Sequence, residues 1–140
     1  MHPENEYGDL RMEIILYAKN GKQSILELSE SFYNWLALSE FSKIQSSKVY
    51  KVNIEGDEAE KIQAVELTEQ SRNSYISFFQ KCILSESYDL ILKMESSSKP
   101  GLLKASSFEG SLENLQYRIK KFYEFLKCLE DRVWVYMEYV

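Results

Sequence analysis

Several residue types on which catalytic chemistry depends are scarce in this sequence. His2 is the one histidine among 140 residues, which excludes Ser-His and Cys-His nucleophile pairs and zinc sites that need two histidines. The five glycines, at positions 8, 21, 56, 101 and 110, are too dispersed for a dinucleotide-binding or phosphate-cradling loop. No CxxC pair occurs, which argues against thiolate zinc sites and thioredoxin-type chemistry. We therefore expect that the protein is not an enzyme and that it has no catalytic, cofactor-binding or metal-binding residues.

Long apolar runs are also missing. The longest, Ile14–Ala18 and Val133–Met137, have five residues each, whereas a membrane-spanning helix needs about 20. Residues 1–9 are acidic and polar, where a secretory signal would be basic and then apolar. We predict a cytoplasmic protein without a membrane segment, in which residues 1–9 are mobile. Cys82 and Cys128 are then two buried thiols in a reducing compartment, and not a disulfide.

The first half of the chain contains two ambiguous segments. Residues 10–18 are rich in β-formers and predict a strand. Asn20-Gly21 could close a hairpin after it, but Ser24 and Glu27 have the spacing of a capping box, so we favour a helix from Ser24. Residues 49–55 and 61–67 predict a hairpin. The alternative there is a helix that begins at Asp57 and continues to Leu84.

The second half predicts helix, strand, helix and strand. Thr68 can cap a helix, residues 89–95 predict a strand, and residues 96–110 form a serine-rich loop. Ser111 caps the last helix, and residues 132–140 alternate as a strand. The sequence thus predicts one α+β domain over residues 1–140. It has about five strands and three helices, roughly β-α-β-β-α-β-α-β, with the helices packed on one mostly antiparallel sheet.

The last helix mixes basic residues with aromatics, as nucleic-acid-binding helices also do. Helical spacing puts Phe122, Phe125 and Leu126 toward the core, while Arg118 and Lys127 lie outside that row. Between 111 and 132 there are five basic and four acidic residues. One net positive charge attracts phosphates weakly, so we expect no nucleic-acid binding.

Negative charge is concentrated in one segment. Residues 1–70 carry 13 acidic and 7 basic side chains, and residues 71–140 carry 9 and 10. Residues 55–69 hold six acids and one lysine, a balance equal to the net charge of −5. Such a patch accelerates association with a basic partner, although it could also serve only solubility.

The carboxylates of this segment lack the spacing of an EF-hand loop, so we expect a protein partner there and not a metal. The predicted partner-binding residues are four acids and two aromatic anchors: Glu55, Asp57, Glu58, Glu60, Trp134 and Tyr136. Tyrosine and tryptophan are favoured interface anchors.

Small size, acidity, missing catalytic residues and surplus aromatics together predict a protein-binding module. Its most concrete form is a bacterial immunity or antitoxin protein that blocks a basic toxin, nucleases included. A secretion chaperone is one alternative. A small-ligand-binding protein or enzyme with a pocket of carboxylates, tyrosines and serines is another. The sequence does not determine the oligomeric state.

Overall fold

A computed structural model describes residues 11–54, 59–97 and 105–139. The helices and strands, in chain order, are β1 (Arg11–Ala18), β2 (Gln23–Ser29), α1 (Glu30–Leu38), a 3-10 helix (Glu40–Lys43), β3 (Lys48–Asn53), β4 (Ala59–Glu66), α2 (Glu69–Ser97), α3 (Ala105–Glu130) and β5 (Trp134–Tyr139). The predicted α+β class, with five strands and three helices on one antiparallel sheet, is confirmed.

The sheet consists of two hairpins and one further strand, β5, which follows both hairpins in the sequence. Its order is β2-β1-β5-β4-β3, and every neighbouring pair is antiparallel. β1 pairs with β2, and β3 pairs with β4, as local hairpins. β5 lies between β1 and β4 and joins the two hairpins into one sheet.

The helix predicted from Ser24 is wrong, because residues 23–29 form β2. Gly21 has a φ of 89°, a conformation that costs glycine little, and the Asn20 Oδ1 accepts a hydrogen bond from the Lys22 amide. The Asn-Gly turn therefore closes a hairpin. The helix begins later, where the Ser29 Oγ accepts from the Phe32 amide as an N-cap.

The strand predicted at 89–95 is also wrong, because α2 continues through it to Ser97. Asp89–Glu95 contains an apolar run that suits a strand, but no glycine or proline interrupts residues 69–97. Leucine, lysine, methionine and glutamate are good helix formers. Packing of α2 along α3 then decides in favour of the longer helix.

Three other predicted boundaries can be compared with the structure. The Thr68 Oγ1 accepts from the Ser71 amide at the start of α2, as predicted. Residues 96–97 belong to α2 and 105–110 to α3, so both helices extend into the predicted serine-rich loop and α3 begins before Ser111. The β3–β4 hairpin is confirmed against a helix from Asp57. Residues 1–9 lie outside the described part.

The helices pack on one face of the sheet. Aromatic rings fill this core, and Phe79 stacks on Phe125 with ring centroids 4.4 Å apart. Phe122, Phe125 and Leu126 are buried, as predicted for α3. The Arg118 guanidinium lies 4.3 Å from the centroid of the Trp35 ring and forms an ion pair with Glu86 at 2.6 Å. Its charge is therefore used in contacts within the chain. None of the described helices is both long and apolar enough to cross a membrane.

Arg72 is a buried cation that ties three elements together, and it is only 5% exposed. Its guanidinium donates to the carbonyl oxygens of Leu129 and Trp134, at 2.6 Å each, and of Asp131 at 3.2 Å. These bonds connect the first turn of α2 to the end of α3 and the start of β5. Arg72 therefore satisfies main-chain acceptors that would otherwise be buried without donors.

The concave acidic face of the sheet

The second face of the sheet carries its own small apolar cluster, and the described residues that contribute to it are strand residues and the adjoining Ile54. Tyr17, Val52, Ile62 and Ala64 are buried there. β4 pairs with β5 only through Ala64–Glu66, whereas its earlier residues pair with β3 alone. Two-stranded ribbons twist strongly, and this free part of the β3–β4 hairpin curls over the second face.

Two contacts between strands that are not neighbours in the sheet indicate that the hairpin curls over the second face. The rings of Tyr50 and Tyr136, whose strands are separated by β4, have centroids 4.7 Å apart. Tyr17 of β1 also shares one buried cluster with Val52 and Ile62 of the hairpin. The second face is therefore concave, and its aromatic floor consists of Tyr17, Tyr50 and Tyr136.

Strand alternation sorts the charges between the two sides of the sheet. In strands, side chains at alternating positions share a face. The charged side chains that the structure describes on the concave side are five glutamates and one lysine: Glu13, Glu27, Glu60, Glu66, Glu138 and Lys48. Lys51 and Lys61 are register partners on the convex side of the hairpin. We call the concave surface formed by these glutamates and the three tyrosines the concave acidic face.

Two of these glutamates oppose each other directly. Glu13 of β1 and Glu27 of β2 are register partners, and like charges at such a position destabilise a sheet. Glu27 is exposed and Glu13 is half-buried. The sheet therefore gains no stability from having acidic residues at both positions.

A hydrogen bond anchors the floor of the face. The Tyr17 hydroxyl donates to the Glu138 Oε1 at 2.6 Å. Burial raises the pKa of Tyr17 above its ordinary value, and the hydrogen bond to Glu138 and the charge of Glu60 raise it further. Tyr17 thus stays a neutral donor that fixes the Glu138 carboxylate in place.

The predicted partner-binding residues are distributed unevenly over the structure. Glu60 and Tyr136 both lie on the concave acidic face. Trp134 instead belongs to the main core and is 8% exposed, so it offers little surface to a partner. Glu55, Asp57 and Glu58 lie outside the described residues.

Sequence reasoning missed the residues that complete the face. The sequence prediction does not include Tyr17, Tyr50 or four of the five glutamates (Glu13, Glu27, Glu66 and Glu138), because it rests on acids that are adjacent in sequence. The available signal was the alternation of strand residues: Glu13, Ile15 and Tyr17 share one side of β1. Glu69 belongs to the acidic segment, but it pairs with Arg132 at the start of α2 and is not part of this face.

Both cysteines are free thiols within the helical layer. Burial and the nearby Glu86 raise the pKa of Cys82 to about 11, and burial also raises the pKa of Cys128. Over the described ranges, no three histidine, cysteine or acidic side chains come together as a metal-binding group.

No protein-family model matches this chain, and no curated protein or solved structure matches it either. The residues of the concave acidic face are therefore the basis on which a function is proposed.

Proposed function

We propose that this protein is a binding module that receives a basic segment of another protein on its concave acidic face. The observation that carries the proposal is the excess of negative charge on the concave side, where the structure describes five glutamates and Lys48, while Lys51 and Lys61 lie on the convex side. A surface of one sign increases the rate of association with a partner of the opposite sign.

The tyrosines supply the short-range part of this recognition. Tyr50 and Tyr136 are half-buried, so each offers part of a ring to a ligand while its conformation is held by neighbours. An arginine or lysine side chain over a tyrosine ring gains a cation–π contact, and nearby glutamates such as Glu60 can accept its hydrogen bonds. Polyanions such as nucleic acid are repelled by the same glutamates.

The most concrete form of this module is a bacterial immunity or antitoxin protein. In this role the glutamates would take the place of substrate phosphates in the basic cleft of a toxin, and a nuclease is the favoured target. The chain would act in the cytoplasm and without a catalytic residue of its own.

A capture experiment with matched charge variants tests the proposal. The purified protein, immobilised, is exposed to lysate of its source organism at low and moderate salt. We expect a basic protein to be retained, more strongly at low salt. Glu13→Lys with Glu60→Lys should slow its association about tenfold or more, whereas Glu113→Lys with Glu130→Lys on α3 should leave the rate nearly unchanged.

The control pair alters net charge by the same amount, so it separates the position of charge from its total. Equal losses in both double variants, or capture that is insensitive to both, would remove the concave acidic face from the mechanism. Co-expression with the captured protein then tests the immunity role, which requires that growth inhibition by that protein be relieved.

A further inference from the structure

β2 lies at one edge of the sheet, with β1 as its single neighbouring strand. The hairpin turn determines which of its residues face outward, because the Ala18 amide donates to the Lys22 carbonyl oxygen at 2.8 Å. In an antiparallel pair, residues that bond across the ladder alternate with residues that do not. Even-numbered residues of β2 therefore bond to β1, whereas Gln23, Ile25 and Glu27 present their N–H and C=O groups outward.

The outward groups of β2 remain open along most of the strand. At the α1 end, the Ser29 amide donates to the Tyr117 hydroxyl at 2.9 Å, so this outward group has a partner. Within the described part of the chain, nothing bonds to the outward groups of Gln23, Ile25 and Glu27. Glu27 is exposed and Ile25 is 49% exposed. We call these three residues the open edge of β2.

The two edge strands differ in how they are protected from pairing with another chain. Proteins protect edge strands with lysines, prolines or bulges. β2 contains no lysine or proline, and its register with β1 is regular. β3, the other edge strand, carries Lys48 and Lys51. A basic segment is therefore repelled at β3, whereas the one charged residue of β2 is Glu27.

The charge beside the open edge is complementary to a basic segment. Glu27 and Glu13 are register partners in the hairpin and belong to the concave acidic face. They occupy a position that does not bond across the ladder, where opposing side chains lie closest. An arginine or lysine on a strand added beside Glu27 would offset this repulsion between like charges. Ile25, on the same side, would contact an apolar side chain of that strand.

We propose that the open edge of β2 accepts the basic segment as a further antiparallel strand. Every pair in this sheet is antiparallel, which favours that direction. The segment would place arginine or lysine beside Glu27 and an apolar residue beside Ile25. Main-chain hydrogen bonds supply affinity in this mode, and alternate side chains supply specificity. This inference rests on the proposed function and specifies the conformation in which the basic segment binds.

A synthetic peptide tests the pairing directly. The probe is the capped sequence Thr-Arg-Thr-Val-Thr-Arg-Thr, and an amide NMR titration of the full chain at low salt measures its affinity. In the antiparallel arrangement, the amides of arginine and valine point toward β2 and those of the inner threonines point away. N-methylation of the valine and one arginine should weaken binding about tenfold or more, because main-chain hydrogen bonds are lost. N-methylation of the two inner threonines should leave the affinity nearly unchanged.

Two variants at one position test the same pairing from the protein side. Ile25→Pro removes an outward N–H, and proline is tolerated in an edge strand where the N–H faces away from the ladder. Ile25→Thr removes the same apolar side chain but keeps the N–H. We expect Ile25→Pro to weaken binding about tenfold more than Ile25→Thr does. Circular dichroism checks the fold of both variants, and the methylated peptides decide the question if Ile25→Pro does not fold.

The outcomes separate this inference from the proposed function. Equal affinities of the two methylated peptides, or a greater loss from the threonine pair, overturn the antiparallel strand. If Glu13→Lys with Glu60→Lys still weakens binding of the unmodified peptide in that case, the concave acidic face binds it through side chains alone and the proposed function stands. An unmodified peptide that does not bind at low salt also overturns the inference, and capture from lysate then decides the proposed function.

Discussion

Replacement of Arg72 by methionine should destabilise the fold more than replacement of any other single charged side chain that the structure describes. The side chain is buried, and its guanidinium holds the end of α3 and the start of β5 against the first turn of α2. Methionine fills a similar volume, but it donates no hydrogen bond. The buried carbonyl oxygens of Leu129 and Trp134 would each lose a donor at 2.6 Å.

The magnitude follows from these two short bonds. A hydrogen bond to a charged group contributes about 1.5–3 kcal/mol, so the two bonds together contribute about 3–6 kcal/mol. Burial disfavours the charged guanidinium and lowers the pKa of Arg72, and methionine avoids that cost. We therefore expect a net loss of about 3 kcal/mol. For 140 residues this corresponds to a fall in Tm of about 10 °C.

Thermal and urea unfolding, followed by circular dichroism, measure this effect. Arg132→Met is the matched control, because Arg132 is exposed and pairs with Glu69 on the surface. Exposed ion pairs contribute little, so the Tm of the control should stay close to that of the native protein. A similar small change in both variants would refute the assignment of Arg72 as the tie between α2, α3 and β5.

Two further predictions concern the helical layer. Phe79→Ala should lower the free energy of unfolding by about 3–5 kcal/mol, because Phe79 is fully buried and stacked on Phe125. Urea denaturation measures this effect, and a loss below about 1 kcal/mol would contradict the packing. Cys82, with its pKa raised to about 11, should react with iodoacetamide at pH 8 about 100-fold more slowly in the native protein than in urea. Because its folded pKa exceeds the unfolded value of 9.0, its contribution to stability is complete below pH 9 and is lost as the pH rises toward 11. Equal labelling rates in both states would contradict the burial of Cys82.

The sequence was sufficient for the fold class because long-range packing reinforces its strongest local patterns. In α3 the apolar residues recur at helical spacing, and Phe122, Phe125 and Leu126 are buried as that spacing predicts. Where two local signals competed, as at Ser24 and Asn20-Gly21, packing of the β1–β2 hairpin decided the outcome. Single-sequence patterns do not contain that information.

The candidate site was less predictable, since it depends on pairings between distant strands. Glu60 and Tyr136 were identified from charge and residue type, but their partners Tyr17 and Glu13 come from β1. Only the strand order and the curl of the β3–β4 hairpin bring these residues together. Trp134 was selected by residue type alone, and the alternation of β5 directs it into the core.

The central position of β5 has a consequence for how the chain is made. Tyr17 and its hydrogen-bond partner Glu138 are 121 residues apart in sequence, and β5 is synthesised after both hairpins. Until it emerges from the ribosome, the inner edges of β1 and β4 lack their partner strand, and such edges invite pairing with other chains. The α2–α3 pair, which is local in sequence, can pack together before β5 is translated. The sheet, by contrast, is completed only after β5 has been translated. The nascent chain is therefore most vulnerable to aggregation just before β5 is added.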